Sequence, residues 1–445
     1  MTSGRGNHKP GISPRWRRWA PYICAYSCKS LLGHSSGLLF AFFLTETCDL
    51  PGVTMGAVIA VSLFANALAD VAIGHVLSRP GRTGPDNGRL QAVGGGLAGL
   101  FFVSFCVTPF LPMVARWPYA TAMLLGFRGG YALFDVSQNA LVATMAPGAG
   151  NRGDLLAARN VCSGLPTLLI GALAAPMLLD GASDGALRHF AWAVTIALAA
   201  VSSAIGLARV DRPVSPPAPA AGPIGNDEDR SSSLLLILPV AALTVLASTL
   251  FRSLEPYAGA FAGMGSGLMV WIAIGAILCQ PFWVHFDRQR HGGSAPAAAA
   301  SFALVAAVIF GSPVRASPVG AALAGLSVGI GSGGVWLMVW RDALGAPGLA
   351  DTTRRAAMLT AVTKCAQGVS VLALGQVLEG GGYRTTLRDA ASLPSLAMAG
   401  ALMLLAVAGI VLAIGRYRTG RAGTKLPGHT IGGFGSPPIS SGLRG

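Results

Sequence analysis

The stretch that decides the fold is Arg212-Pro-Val-Ser-Pro-Pro-Ala-Pro, running on to Asn226-Asp-Glu-Asp-Arg230. It is rich in proline and charge and has no apolar periodicity, so it reads as a linker over 210–232. Six apolar runs precede it, near 20–45, 52–78, 90–112, 117–146, 160–180 and 187–208. Six follow it, near 233–254, 262–286, 296–311, 317–340, 357–379 and 393–415. A helix needs about 20 apolar residues to cross a bilayer, so each run is a candidate span. The expectation is an all-α integral membrane protein of 12 transmembrane helices in two six-helix bundles, 20–209 and 233–415. Tails of 1–19 and 416–445 flank them.

Composition agrees. Hydrophobic residues make up 52% and charged residues 11% of 445 positions, with a mean hydropathy of +0.58. A soluble chain of this length carries about a quarter charged residues, so a soluble enzyme and a disordered chain are excluded. The net charge of +14 comes from Lys and Arg scattered between apolar runs, without the patterning of a nucleic-acid binder. Its placement speaks of topology. Alternating loops and tails carry 23 Lys and Arg on one side and 6 on the other, with Lys29, Arg128 and Lys364 inside spans. By the positive-inside rule both termini are cytoplasmic, in a multi-pass protein of the cell inner membrane. Arg15, Arg17 and Arg18 precede a full-length apolar run without a small-residue cleavage site, so that run is read as a retained first helix. The seven cysteines form no C-x-x-C pair, and no Cys/His set has metal spacing. No metal, cofactor or ATP-binding motif is implied, so any energy the protein uses comes from a gradient or a partner.

The halves echo one another. Arg79 and Arg288, 209 positions apart, each open a short basic loop after an apolar run. The loop at Arg152 has its counterpart in Arg354-Arg355. Parallel six-helix repeats suit a transporter in which one bundle rocks against the other around a midplane site. The loop arginines Arg79, Arg82, Arg89, Arg152, Arg354 and Arg355 are the candidates for gating.

Charges inside spans are costly and concentrate where they face partners or water. Asn66, Asp70 and Gly74 share one helix face at i, i+4, i+8. Asp70 is either a cation or proton site, with Asn66 beside it, or a structural partner of the 79–89 arginines. Arg128, Tyr131 and Asp135 share a face in span 4 and suit a hydroxylated or charged solute through directional, charge-assisted hydrogen bonds. The other reading is that Arg128 and Asp135 only neutralise one another or their neighbours. Lys364 either pairs with Asp70 or Asp135 across the halves or snorkels to the interface. Lys29 and His34 in span 1 are further candidates, His34 for proton handling. The G-x-S-x-G matches at Gly33 and Gly325 lie in long apolar runs, not in a strand-turn-helix context, and carry no hydrolase.

Together these motifs resemble the glycoside-pentoside-hexuronide:cation symporters, the melibiose permease-like family of the major facilitator superfamily. Asn66-Ala-Leu-Ala-Asp70-Val-Ala-Ile-Gly74 followed by Arg79, Arg82, Gly88 and Arg89 is similar to the family's acidic second helix and its basic loop. Tyr131-Ala-Leu-Phe-Asp135-Val, then Asn139-Ala-Leu and Arg152 to Arg159, resembles its fourth helix and following loop. Asp342, Thr353-Arg354-Arg355, Lys364 and Gly381-Gly382-Tyr383 resemble the region of its eleventh helix. The likeness spans residues 20–415. It implies sugar contacts at Asp135 and cation coupling at Asp70, with Lys364 near both. Where sodium-coupled members have a second acid this chain has Asn66, and where they have an acid in the first helix it has Gly33. Those departures point to a proton, not sodium, at Asp70, or to no coupling. Arg128 on the solute face favours an anion over a neutral sugar. The expected protein is a monomeric secondary transporter of a small polar solute. Its competitor is an exporter of hydrophobic drugs or lipids, which needs an aromatic-lined cavity, and aromatics are only 7% of this chain. A membrane enzyme on lipid-linked substrates would need acid-rich or His-rich loops, and these loops are basic.

Overall fold

The computed structural model describes residues 14–77, 84–146, 149–178, 184–210, 227–261, 267–289, 293–344, 349–387, 389 and 392–423. Among them are twelve helices of 17 to 35 residues. They are α1 (Pro14–Phe42), α2 (Gly52–Leu77), α3 (Gly84–Phe105), α4 (Met113–Met145), α5 (Ala149–Leu169) and α6 (Gly185–Val210), then α7 (Asp227–Phe261), α8 (Gly267–Gln289), α9 (Ser294–Phe310), α10 (Pro318–Leu344), α11 (Leu349–Gly381) and α12 (Leu393–Gly423). Two π-helical turns interrupt the first half, Phe43–Thr47 after α1 and Ile170–Ala174 after α5.

Among the described residues nine helices are long and apolar enough to cross a membrane. The three others differ for stated reasons. α9 is apolar but, at 17 residues, about 26 Å long. α1 carries Lys29, and α4 carries Arg128 and Asp135, within their apolar stretches. Helices also overrun the apolar runs where no lipid contact is demanded. α7 opens on Asp227-Glu228-Asp229, inside the stretch read as linker, where acids suit a helix N-terminus.

The helices pair by one scheme in both halves. In the first, α1 packs on α5 and α6, α4 on α2 and α3, and α3 on α6. In the second, α7 packs on α11 and α12, α10 on α8 and α9, and α9 on α12. Adding six to each helix number converts one set into the other, which is the parallel repeat seen as packing. Two seams join the halves, α2 against α11 and α5 against α8. Both depend on small residues. A Cβ at Gly375 would lie 2.7 Å from the Gly52 carbonyl, and one at Gly171 would lie 2.8 Å from the Met269 Cβ. Only glycine lets backbones approach so closely.

Directional ties cluster at the two ends of the bundle. At the end where α1 begins and α12 finishes, Arg416 donates to Asp342 at 2.6 and 2.9 Å and to Asp287 at 2.7 Å, while Arg341 also pairs with Asp287. These tie α8, α10 and α12 together. At the opposite end the halves themselves are tied. Tyr383 donates to Glu46 of the first π turn, Arg384 pairs with the same carboxylate at 3.1 Å, and Thr45 and Tyr257 share a hydrogen bond of 2.9 Å.

Candidate functional site

Between the halves lies a cavity of about 330 Å³. Its wall is built from helical stripes. α1 supplies Tyr26, Lys29 and Gly33, at i, i+3 and i+7. α4 supplies Arg128, Tyr131, Asp135 and Asn139, and α11 supplies Thr360, Thr363, Lys364 and Gln367. Spacings of three and four keep each set on one face, so the sequence dictates that if one member looks inward all do.

The most ordered polar contact is an ion pair that joins α1 to α4. Lys29 Nζ donates to Asp135 Oδ1 at 2.6 Å, with the two side chains 2% and 13% exposed. Asn139 donates to the same oxygen at 3.1 Å, and Arg159 Nη1 donates to Asn139 at 3.0 Å. Lys29 also sits 4.3 Å from the Tyr26 ring centre. The partner of Asp135 is therefore Lys29 and not Lys364. Lys364 instead stands 5.0 Å from the Tyr131 ring centre, with no ion pair within 4 Å among the described residues. The phenol of Tyr131 presses on Gly33, where any side chain would collide with it.

Arg128 is buried, has a 3.4 Å hydrogen bond to Ser36 and leaves its Nε without a partner. His34 lines the cavity with its ring nitrogens 3.0 Å from Ser163 and 3.4 Å from Thr167, both on α5. Asp70 and Asn66 lie apart from the cavity wall. Both are fully buried on α2, which packs on α4 and α11, and no hydrogen bond satisfies the side chain of either among the described residues. Lys364, Asp135, Lys29 and Arg128 are charged groups whose fields reach Asp70. Polar atoms so buried without partners are rare.

Of the loop arginines, Arg79 and Arg82 lie outside the described residues, as does the side chain of Arg152 on α5. Arg89 on α3 and Arg354 on α11 are exposed, and Arg355 is half-buried. Among the described residues no ion pair joins these three to the other half.

Two arginines counted with the loops belong to the interior instead. Arg159 is buried on α5 between the rings of Tyr26 and Trp340, 4.7 and 4.5 Å from their centres, and so bridges the halves. Arg252 lies on α7 and lines the cavity, with Glu255 buried one turn on. A readable signal existed for both. Arg159, Ser163 and Thr167 form one polar stripe, and Thr244, Ser248 and Arg252 another. Trp336 and Trp340 on α10, also on the wall, follow Ser332 at the same spacing but carry no charge to mark them out of an apolar run.

Solved structures share this architecture at low identity. The D-xylose-proton symporter matches with a TM-score of 0.63 at 12% identity, over 87% of this chain and 96% of that one. A point mutant of the nucleoside transporter NupG matches at 0.59 and 12%, over 89% and 99%. The human organic anion transporter MFSD10 (TETRAN) matches at 0.56 and 15%, over 88% and 100%. No curated protein matches the sequence itself. The sequence profile of the MFS/sugar transport proteins, however, matches residues 22–417. With nearly the whole helical body inside that match, and the fold it requires in place, the chain belongs to the MFS/sugar transport protein family and is a secondary active transporter of a solute.

Proposed function

We propose that the protein carries a small hydroxylated organic anion, a uronate or related acid, across the cell inner membrane by alternating access, as a monomer with both termini cytoplasmic. The observation that carries this reading is the cavity wall, where Arg128, Arg252 and Lys364 have no ion pair among the described residues while Lys29 and Asp135 satisfy each other. Hydroxyl and amide side chains from both halves add directional donors and acceptors. A cavity of about 330 Å³ is at the small end for ligand sites, which favours one polar solute over a drug or lipid. The similar structures are named for an organic anion, a sugar with a proton, and a nucleoside, and they support a small polar cargo.

Coupling is assigned to a proton at Asp70. A carboxylate sealed between helices without partners is suited to binding and releasing one proton, whereas a sodium cage would want more acids than Asn66 and Gly33 provide. In this mechanism Asp135, held by Lys29, contacts the solute, and Lys364 faces both acids. The test is uptake into proteoliposomes. Asp70→Asn should abolish accumulation driven by a pH gradient while sparing solute exchange, and unchanged accumulation would remove Asp70 from the mechanism.

A further inference from the structure

We propose that the solute is a dicarboxylate on a hydroxylated frame, one acid group held by Arg128 with Lys364 and the other by Arg252. This rests on the transport reading above and narrows it.

The first argument is charge. Five cations surround the cavity or lie just behind it: Lys29, Arg128, Arg159, Arg252 and Lys364. Three acids accompany them, Asp70, Asp135 and Glu255. Lys29 and Asp135 cancel at 2.6 Å. Arg159 is provided for by two aromatic rings and the Asn139 carbonyl oxygen. The rings and the amide oxygen carry no charge, so Arg159 stays in the sum, and the five cations against the three acids leave two positive charges in excess. Uncompensated charge in the membrane interior is costly, so the ligand that fills the cavity best brings two negative charges. A monoanion would leave one cation uncancelled.

The second argument is placement. Arg128 is on α4 in one half and Arg252 on α7 in the other, and both line the same cavity. The charged neighbour of Arg252 is Glu255, while Arg128 is grouped with Asp70 and Lys364. Arg128 reaches Ser36 on α1, Arg252 stands one turn from Glu255 on α7, and no hydrogen bond links the two guanidiniums to a common group among the described residues. The positive charge thus sits at two places. A phosphate ester, with its charge at one point, would engage one place and leave the other empty. Two carboxylates at the ends of a short chain would engage both, each through paired N–H donors of a guanidinium. Hydroxyls between them would meet Ser248, Thr249 and Thr363.

The test uses the purified full-length protein and four probes at matched ionic strength: glucarate, glucuronate, glucose and glucose 6-phosphate. Binding is read by thermal stabilisation and by titration calorimetry. The expected order places glucarate about tenfold or more tighter than glucuronate, which gains from only one arginine, with glucose weakest. Arg252→Gln and Arg128→Gln should each erase the advantage of glucarate over glucuronate, and Arg252→Lys should recover part of it. The comparison of probes on the unaltered protein decides the matter even if a variant fails to fold. Glucuronate binding as tightly as glucarate would overturn the two-ended dianion while leaving the anion-transport reading intact. Preference for glucose 6-phosphate would overturn the separated ends. Binding of none of the four would overturn both this inference and the reading beneath it.

Discussion

Removing one member of the Lys29–Asp135 pair should harm the protein far more than removing both. At 2.6 Å the direct attraction is about 6 kcal/mol for an effective dielectric constant of about 20. Most of that offsets the loss of water from two nearly buried ions, so the net worth of the pair is small, but an orphaned ion keeps the cost and loses the gain. Single losses of this kind run to about 3–5 kcal/mol. The two orphans are not equal. Asp135→Asn takes the counter-charge from the Lys29 ammonium, 2% exposed, and leaves it a neutral amide oxygen and the Tyr26 ring at 4.3 Å. Lys29→Met leaves Asp135 with the Asn139 donor at 3.1 Å and with Lys364 and Arg159 as further cations. Asp135→Asn should therefore sit at the top of the range and Lys29→Met at the bottom. At about 2 °C per kcal/mol for a large domain, melting points in detergent should fall by about 10 and 6 °C. The double variant Lys29→Met with Asp135→Asn should recover to within about 4 °C of the parent at the same heating rate. A double variant as unstable as the sum of the singles would show that the two charges do not compensate each other.

Three further outcomes follow from the ties between helices. Burial pushes the Cys48 thiol up and slows its alkylation, and Cys48 adjoins the Glu46 tie, so Glu46→Gln in a background retaining only Cys48 should raise maleimide labelling several-fold; an unchanged rate would mean the tie does not close that end. Gly375→Val forces a side chain against the Gly52 carbonyl and should cost about 1–3 kcal/mol with loss of transport, checked by melting and uptake together. Arg416→Ala strips Asp342 of its cation and Asp287 of one of two, and should lower the melting point by about 4–6 °C without changing solute affinity.

Much of this was legible in the sequence because bilayer crossing imposes length and composition on each element separately. The runs that became α2, α3, α6 and α12 declare themselves without reference to any neighbour. The stripe Arg128-Tyr131-Asp135 was legible for a related reason, since helical spacing alone puts it on one face. What could not be read is anything that depends on which face meets which. Lys29 and Asp135 are 106 positions apart, and no pattern within α1 or α4 says that they touch. Arg159 and Arg252 sit at the ends of their apolar runs, just before 160–180 and within the close of 233–254, and such ends read as loop although the helices continue. Asp70 was legible as a buried acid, but its seat behind the wall follows from the α2–α11 seam, which no single helix encodes.

The seams and the ties divide the work of holding the halves together. The glycine-lined contacts of α2 with α11 and of α5 with α8 are close and apolar, with Phe64 and Ile277 seated over Gly368 and Gly164, so they hold by packing and not by directional bonds. Hydrogen bonds and ion pairs are different, because in a water-poor interior each must be kept or replaced. The contacts that join the halves, hydrogen bonds with an ion pair in one set and a guanidinium between two rings in the other, stand at separate levels. Glu46 with Tyr383 and Arg384 closes one end, where burial and the neighbouring carboxylate push the Tyr383 phenol up and keep it a donor. Arg159 between Tyr26 and Trp340 spans the halves on the other side of the cavity. The two sets share no residue, so either can be released while the other persists. That separation is what alternating access demands, since a device that opened both ends through one set of contacts would leak.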